Sequence, residues 1–400
     1  MMLVKKIFFF FAVLAFFLAC GPSGPVSIER EDLFSLEIGI MEDQIALFGF
    51  EGNRGFNRTG LAMRDGFFYI SDGNGGKIVC YNSFGDLLFM IYNEEIVPGP
   101  VNLRPRTDDD THVVRWAFTH PFLSPGRIAV NSRRHIFVEE RMPGERHRID
   151  PENNVILDSI VLHFDESGRF IEYFGQGGPG GGPLPRITGL FTSINDEVVV
   201  VCRIANGWDV YWYSAWGEQL FLVRFSNDTI PVPEEWQAYS ASVESIMAAP
   251  DERKLYIKVA YFRSVYDDVT GTRVSREPAG SLIWIFNLDT GAYENPIHVP
   301  FFEYRHSDRG RRESTFLFYS MKGVARGGRV LLYSPIDTGY EILMIFPNGF
   351  QQRALIRVDP EELRFNYFHF SPEGILSALL ADEWEARLVW WRLDRLAARN

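Results

Sequence analysis

Short apolar runs of about four to eight residues, rich in Phe, Tyr, Ile, Val and Leu, recur along most of the chain between clusters of Gly, Asn, Asp and Ser. The clearest instance is FYISDGNGGKIVCYNSFGDLLFMI, residues 68 to 91. Two turn-like clusters, residues 71 to 76 and 83 to 86, divide it into three runs, which predicts strand, turn, strand, turn, strand. One such meander cannot bury both of its faces, so it needs neighbours of the same build on either side. The expected fold is all-β: a six-bladed β-propeller.

Taken in order, the blades are expected at about residues 59 to 92, 122 to 175, 187 to 225, 243 to 299, 318 to 358 and 365 to 393. Five or seven blades are the neighbouring counts. An apolar segment at residues 44 to 48 precedes the first full unit and is expected to serve as the outermost strand of the last blade. Closing the ring in this way removes two open sheet edges. Two segments fit the pattern poorly. Residues 231 to 247 have room for a short helix, and residues 381 to 400 have a helical composition but read as strand through Trp391.

The first nineteen residues stand outside the fold. Lys5 and Lys6 precede an unbroken apolar stretch, residues 7 to 18, of signal-peptide length. Small Ala19 then precedes Cys20, an order that resembles a bacterial lipobox, with Phe17 in place of the more usual Leu. The resemblance implies cleavage before Cys20 and lipidation of its sulfur, with residues 20 to 27 as lipidated cysteine and linker and residues 28 to 400 as the propeller. An ordinary signal peptide with an incidental cysteine is the competing reading. Loss of Lys5 and Lys6 takes the formal charge from -12 to -14. Anchoring at the cell envelope would then rest on acyl chains and not on attraction to anionic lipid. Cys80 and Cys202 fall in apolar runs of different blades and read as two buried free thiols.

Residues 48 to 88 and HFDESGRFIEYFGQGGPGGGP, residues 163 to 183, resemble NHL repeats. In that family a Phe-Gly closes the outer strand, a glycine-rich connector follows, and an Asp ends the second strand, as Asp72 does here. With the lipobox, the chain resembles the propeller lipoproteins of spirochaete-like bacteria. The repeats imply a binding scaffold more often than an enzyme.

Composition narrows the partners. An acidic chain without a long basic stripe is not built for nucleic acid. The glycine-rich residues 175 to 183 lead into another strand and not into a helix, so they do not make a phosphate loop, and no cofactor signature is present. The long insertions, at about residues 93 to 120, 141 to 158, 175 to 186, 226 to 242, 263 to 280 and 301 to 315, all join strands on one side of the expected disc. That elaborated face is the expected binding face for a protein, peptide or glycan, with Asp72, Arg115, His120, His147, Arg305 and His306 as its candidate residues. Asp108 to Asp110 with His112 match no metal-loop spacing and read as solvated. A channel-centred hydrolase or lyase is the alternative, as is a small-molecule sensor with its pocket at the channel mouth. The expected starts of the innermost strands are near Arg58, His120, Arg186, Ser242, Tyr319 and Phe365, with one ligand type among them. No catalytic residue and no metal site is assigned.

Overall fold

The computed structural model describes residues 25–48, 58–105, 115–174, 182–308 and 311–399. They form six antiparallel blades. The innermost strands are Gly60–Arg64, Ile128–Val130, Ile187–Thr192, Ser240–Ala248, Ser320–Ala325 and Phe365–Phe370. Each touches the next, and the sixth returns to the first, so the ring is closed.

The core lies between the blades. Six buried clusters fill the six gaps, one for each adjacent pair. In blade three, strand Val198–Ile204 divides its side chains by parity. Val198, Val200 and Cys202 pack toward blade two, while Val199 and Val201 pack toward blade four. A strand buried on both faces has no polar side to show, hence the unbroken VVVVC run. Cys80 and Cys202 are free and buried, as expected.

Short turns on the plain face hold their shape through polar side chains. Asn82 Oδ1 accepts from the backbone of Phe84 and Asp86, Asp165 Oδ1 from Ser167 and Arg169, and Ser214 Oγ from Trp216 and Glu218. Gly85, Gly168 and Gly217 complete these turns at positive φ.

The ring closes through the N-terminal segment, with Gln44–Ile45 outermost in blade six as expected, but an unexpected longer strand lies between it and the rest of the blade. Strand Arg30–Ile38 pairs antiparallel with Glu385–Trp391 as the fourth strand of blade six, and the short Gln44–Ile45 adds to it in parallel. Just before it, Val26–Ile28 pairs in parallel with Gln351–Arg357 of blade five, so one segment spans two blades. The C-terminal tail is strand through Trp391 and then a 3-10 turn, Leu393–Arg399. Residues 231 to 247 hold only the 3-10 turn Glu234–Trp236 before the innermost strand of blade four.

The one-sided placement of the insertions holds, yet several are not loops. Arg148–Asp150 and Val155–Leu157 make a hairpin, as do Phe302–Asp308 and Arg311–Leu317. Strands Lys254–Tyr266 and Arg273–Asn287 extend blade four into a long two-stranded arm. Trp116–Thr119 adds a parallel fifth strand outside Leu87–Tyr92.

Candidate functional site

The innermost strands of blades three, four and five each carry a β-bulge at the same level. Thr188, Glu244 and Lys322 are the residues left over when pairing shifts between Ile187 and Gly189, Val243 and Ser245, and Met321 and Gly323. Blade two repeats the device. The Gly126 amide donates to the Glu139 carbonyl while the Glu139 amide donates to the Arg127 carbonyl, so two residues face one. An unpaired residue in a bulge is free to turn its side chain away from the sheet. Arg127, Thr188 and Lys322 accordingly line a cavity of about 310 Å³ on the propeller axis, to which all six innermost strands contribute. Blade six adds Tyr367 and His369 to its wall.

Arg127 is held from two sides: Nε donates to the Thr188 carbonyl at 3.0 Å and Nη1 to Glu139 Oε2 at 3.2 Å. The buried Glu139 carboxylate also meets Arg58 Nη2 at 2.8 Å, so one negative charge is shared between two guanidinium groups. Lys322 differs from its neighbours. Its Nζ stands 5.3 Å from the Tyr367 ring centroid and, among the described residues, has no hydrogen-bond acceptor and no ion-pair partner. Burial, and then the charge of Arg127, brings its pKa down from 10.5 to about 8. His369 is brought down to about 4 by burial, with the Lys322 charge as the next cause, so its ring is neutral near pH 7; its Nε2 is buried without a described partner. The axis therefore carries more positive than negative charge in a chain whose net charge is -12. Among the described residues, no three His, Cys, Asp or Glu side chains gather as a metal-ligand set.

The residues expected from sequence lie elsewhere. Asp72 is fully buried and accepts from the amides of Ala46 and Gly75, each at 2.8 Å, beside Lys77. It fastens the N-terminal segment to blade one. Arg115 reaches Asp86 at 3.1 Å, at one of the short turns, which puts it on the plain side of the disc. His120 packs among Phe122, Phe164 and Phe170 and is brought down to about 4 by burial. The innermost strand of blade two starts eight residues later, at Ile128, so Arg127 takes the axial place expected near His120. His147 is exposed, its Nε2 2.9 Å from the Met142 carbonyl. Arg305 and His306 lie in the hairpin strand Phe302–Asp308, in register with Ser314 and Glu313. None of the six lines the axial cavity. Cys20 and residues 108 to 112 lie outside the described residues.

One sequence signal for the axial site is the use of lysine. The chain has thirty-four arginines and six lysines, of which Lys5 and Lys6 precede Cys20. Three of the other four are paired: Lys77 with backbone carbonyls of Ile40 and Met41, Lys254 with Glu252 and Glu294, and Lys258 with Glu244. Lys322 is the fourth.

No family model matches the chain, and no curated protein does. Solved structures similar to it include a streptogramin B lyase, at 12% identity over 91% of this chain and 98% of that one, with a TM-score of 0.36. A gluconolactonase of Xanthomonas campestris is similar at 13% identity over 93% and 99%, with a TM-score of 0.40. An ulvan lyase of polysaccharide lyase family PL25 is similar at 12% over 88% and 84%, with a TM-score of 0.37.

Proposed function

We propose that this propeller is a binding protein of the cell envelope, held to a membrane through lipid on Cys20, that takes an anionic group of its ligand into the axial cavity. The observation that carries the reading is Lys322: a cation aimed at the axis by a bulge, beside Arg127, with no carboxylate partner among the described residues. A desolvated cation left without a partner is costly, and a ligand carboxylate or phosphate would relieve that cost while accepting from Arg127. The cavity is of a size for a small molecule or the end of a chain. The long insertions on one face give the ligand's remainder a surface to meet, and the likeness of blade one to NHL repeats favours the same scaffold role.

The test is calorimetric titration of the purified full-length chain in detergent with acetate, lactate, citrate, glucuronate and inorganic phosphate. Saturable binding of one or more of these, weakened at least about tenfold in Lys322→Met, supports the reading. No binding by any of them, or equal binding by the variant with its fold intact, overturns it.

A further inference from the structure

Arginine supplies nearly all positive charge in this chain, including both partners of Glu139 at the axis. A second cation for holding an anion would need no lysine. The amine differs from the guanidinium in one relevant capacity: once deprotonated it is a nucleophile, whereas arginine stays protonated throughout. At position 322 the conditions for that capacity meet. The Nζ faces the axial cavity, has no acceptor among the described residues to hold its proton, and lies beside the charge of Arg127. The Tyr367 ring covers one side of it, and His369 stays neutral nearby.

We propose that Lys322 Nζ condenses reversibly with the carbonyl carbon of a small 2-oxo acid whose carboxylate is held by Arg127. The inference rests on the anion-binding reading above and narrows its ligand to a carbonyl compound. In the step, the nitrogen lone pair forms the new C–N bond as the carbonyl π electrons move to oxygen. A proton passes from nitrogen to that oxygen, giving a carbinolamine. The C–O bond then breaks and the oxygen leaves as water with a second proton, leaving a C=N bond that is protonated from channel solvent. No electrons are gained or lost. Neighbouring positive charge and burial both favour the neutral amine that begins the sequence.

The test uses the full-length chain with pyruvate and, separately, lactate, each with and without sodium borohydride, followed by peptide mass spectrometry. The expected result is a borohydride-dependent adduct of pyruvate on the peptide bearing Lys322, formed at least ~10-fold faster than on Lys254, and none with lactate. Lys322→Arg, checked for an unchanged unfolding midpoint, is expected to lose the adduct while still binding lactate. If lactate binds but pyruvate leaves no adduct at Lys322, the condensation is overturned and the anion site stands. Labelling of all lysines at similar rates overturns it equally. If neither acid binds, both readings fall together.

Discussion

Arg30 and Glu362, 332 positions apart, meet in a two-pronged ion pair, with Nη2 2.8 Å from Oε1 and Nη1 on Oε2. Arg387 Nη1 joins Oε1 at 2.6 Å. The pair ties the closing strand to the turn that leads into the innermost strand of blade six, and it holds Glu362 at about 2, below its ordinary 4.5. A carboxylate whose folded value is depressed contributes stability above its unfolded value and loses it as pH falls through the folded one. Glu362→Gln is expected to cost about 2 kcal/mol near neutral pH. The gap to the parent protein should close as pH falls from about 4.5 toward 2, read by urea unfolding across that range. A constant gap would count against the pair.

Asp72 and Lys77, both fully buried, fasten the N-terminal segment side by side, Asp72 through the Ala46 amide and Lys77 through the carbonyls of Ile40 and Met41. Asp72→Asn weakens the acceptance from the Ala46 and Gly75 amides and removes the opposite charge near Lys77, so it is expected to cost about 1 to 3 kcal/mol. Asp72→Asn with Lys77→Met should recover part of that loss. Both are measured by chemical denaturation.

Lys322 opposes folding while it is charged, where Glu362 supports it. In the unfolded chain it keeps its proton up to about 10.5, and in the folded protein it gives it up from about 8. The unfolded state binds more protons in that window, so this group makes stability rise with pH between the two values. The charged groups facing it are Arg127, which sharpens the effect, and His369, which is neutral there; the Tyr367 phenol is pushed up by burial and keeps its proton near neutrality. Lys322→Met is expected to stabilise the protein by on the order of 1 to 2 kcal/mol near neutral pH, allowing for screening by channel water, with the gain fading by about pH 10. A gain independent of pH would mean the site is merely overpacked.

Cys20 is tested in cells. With an alkyne fatty acid as label, the parent chain is expected to take up label and partition with membranes. Cys20→Ala is expected to take up none and to leave the membrane fraction. Label retained by the variant would place the anchor elsewhere.

Much of the fold was legible because both faces of a blade strand are buried, which writes unbroken apolar runs such as those of residues 198 to 202 and 342 to 345. The turns were legible through their Asn, Asp, Ser and Gly. The closing strand Arg30–Ile38 was not, because it lies at an outer edge and spends alternate positions on Glu31, Ser35 and Glu37. The arm and hairpins were read as loops for a related reason: Arg273 to Pro278 pair in a strand yet face water. The axial residues were missed because a bulge decides which side chain turns inward. Thr188 lies two positions past the expected strand start at Arg186, and Lys322 lies three past Tyr319. No periodicity marks that offset.

The N-terminal segment that spans blades five and six also sets the order of assembly. Its partners Gln351–Arg357 and Glu385–Trp391 belong to the fifth and sixth blades and are synthesised long after it. Ring closure is thus the most non-local event in the chain, and such contacts form slowly because the intervening loop must be closed first. Until then blades five and six present open edges, able to pair with another copy. The nascent propeller has to stay soluble as an open arc for the whole time its own first strand waits for its last.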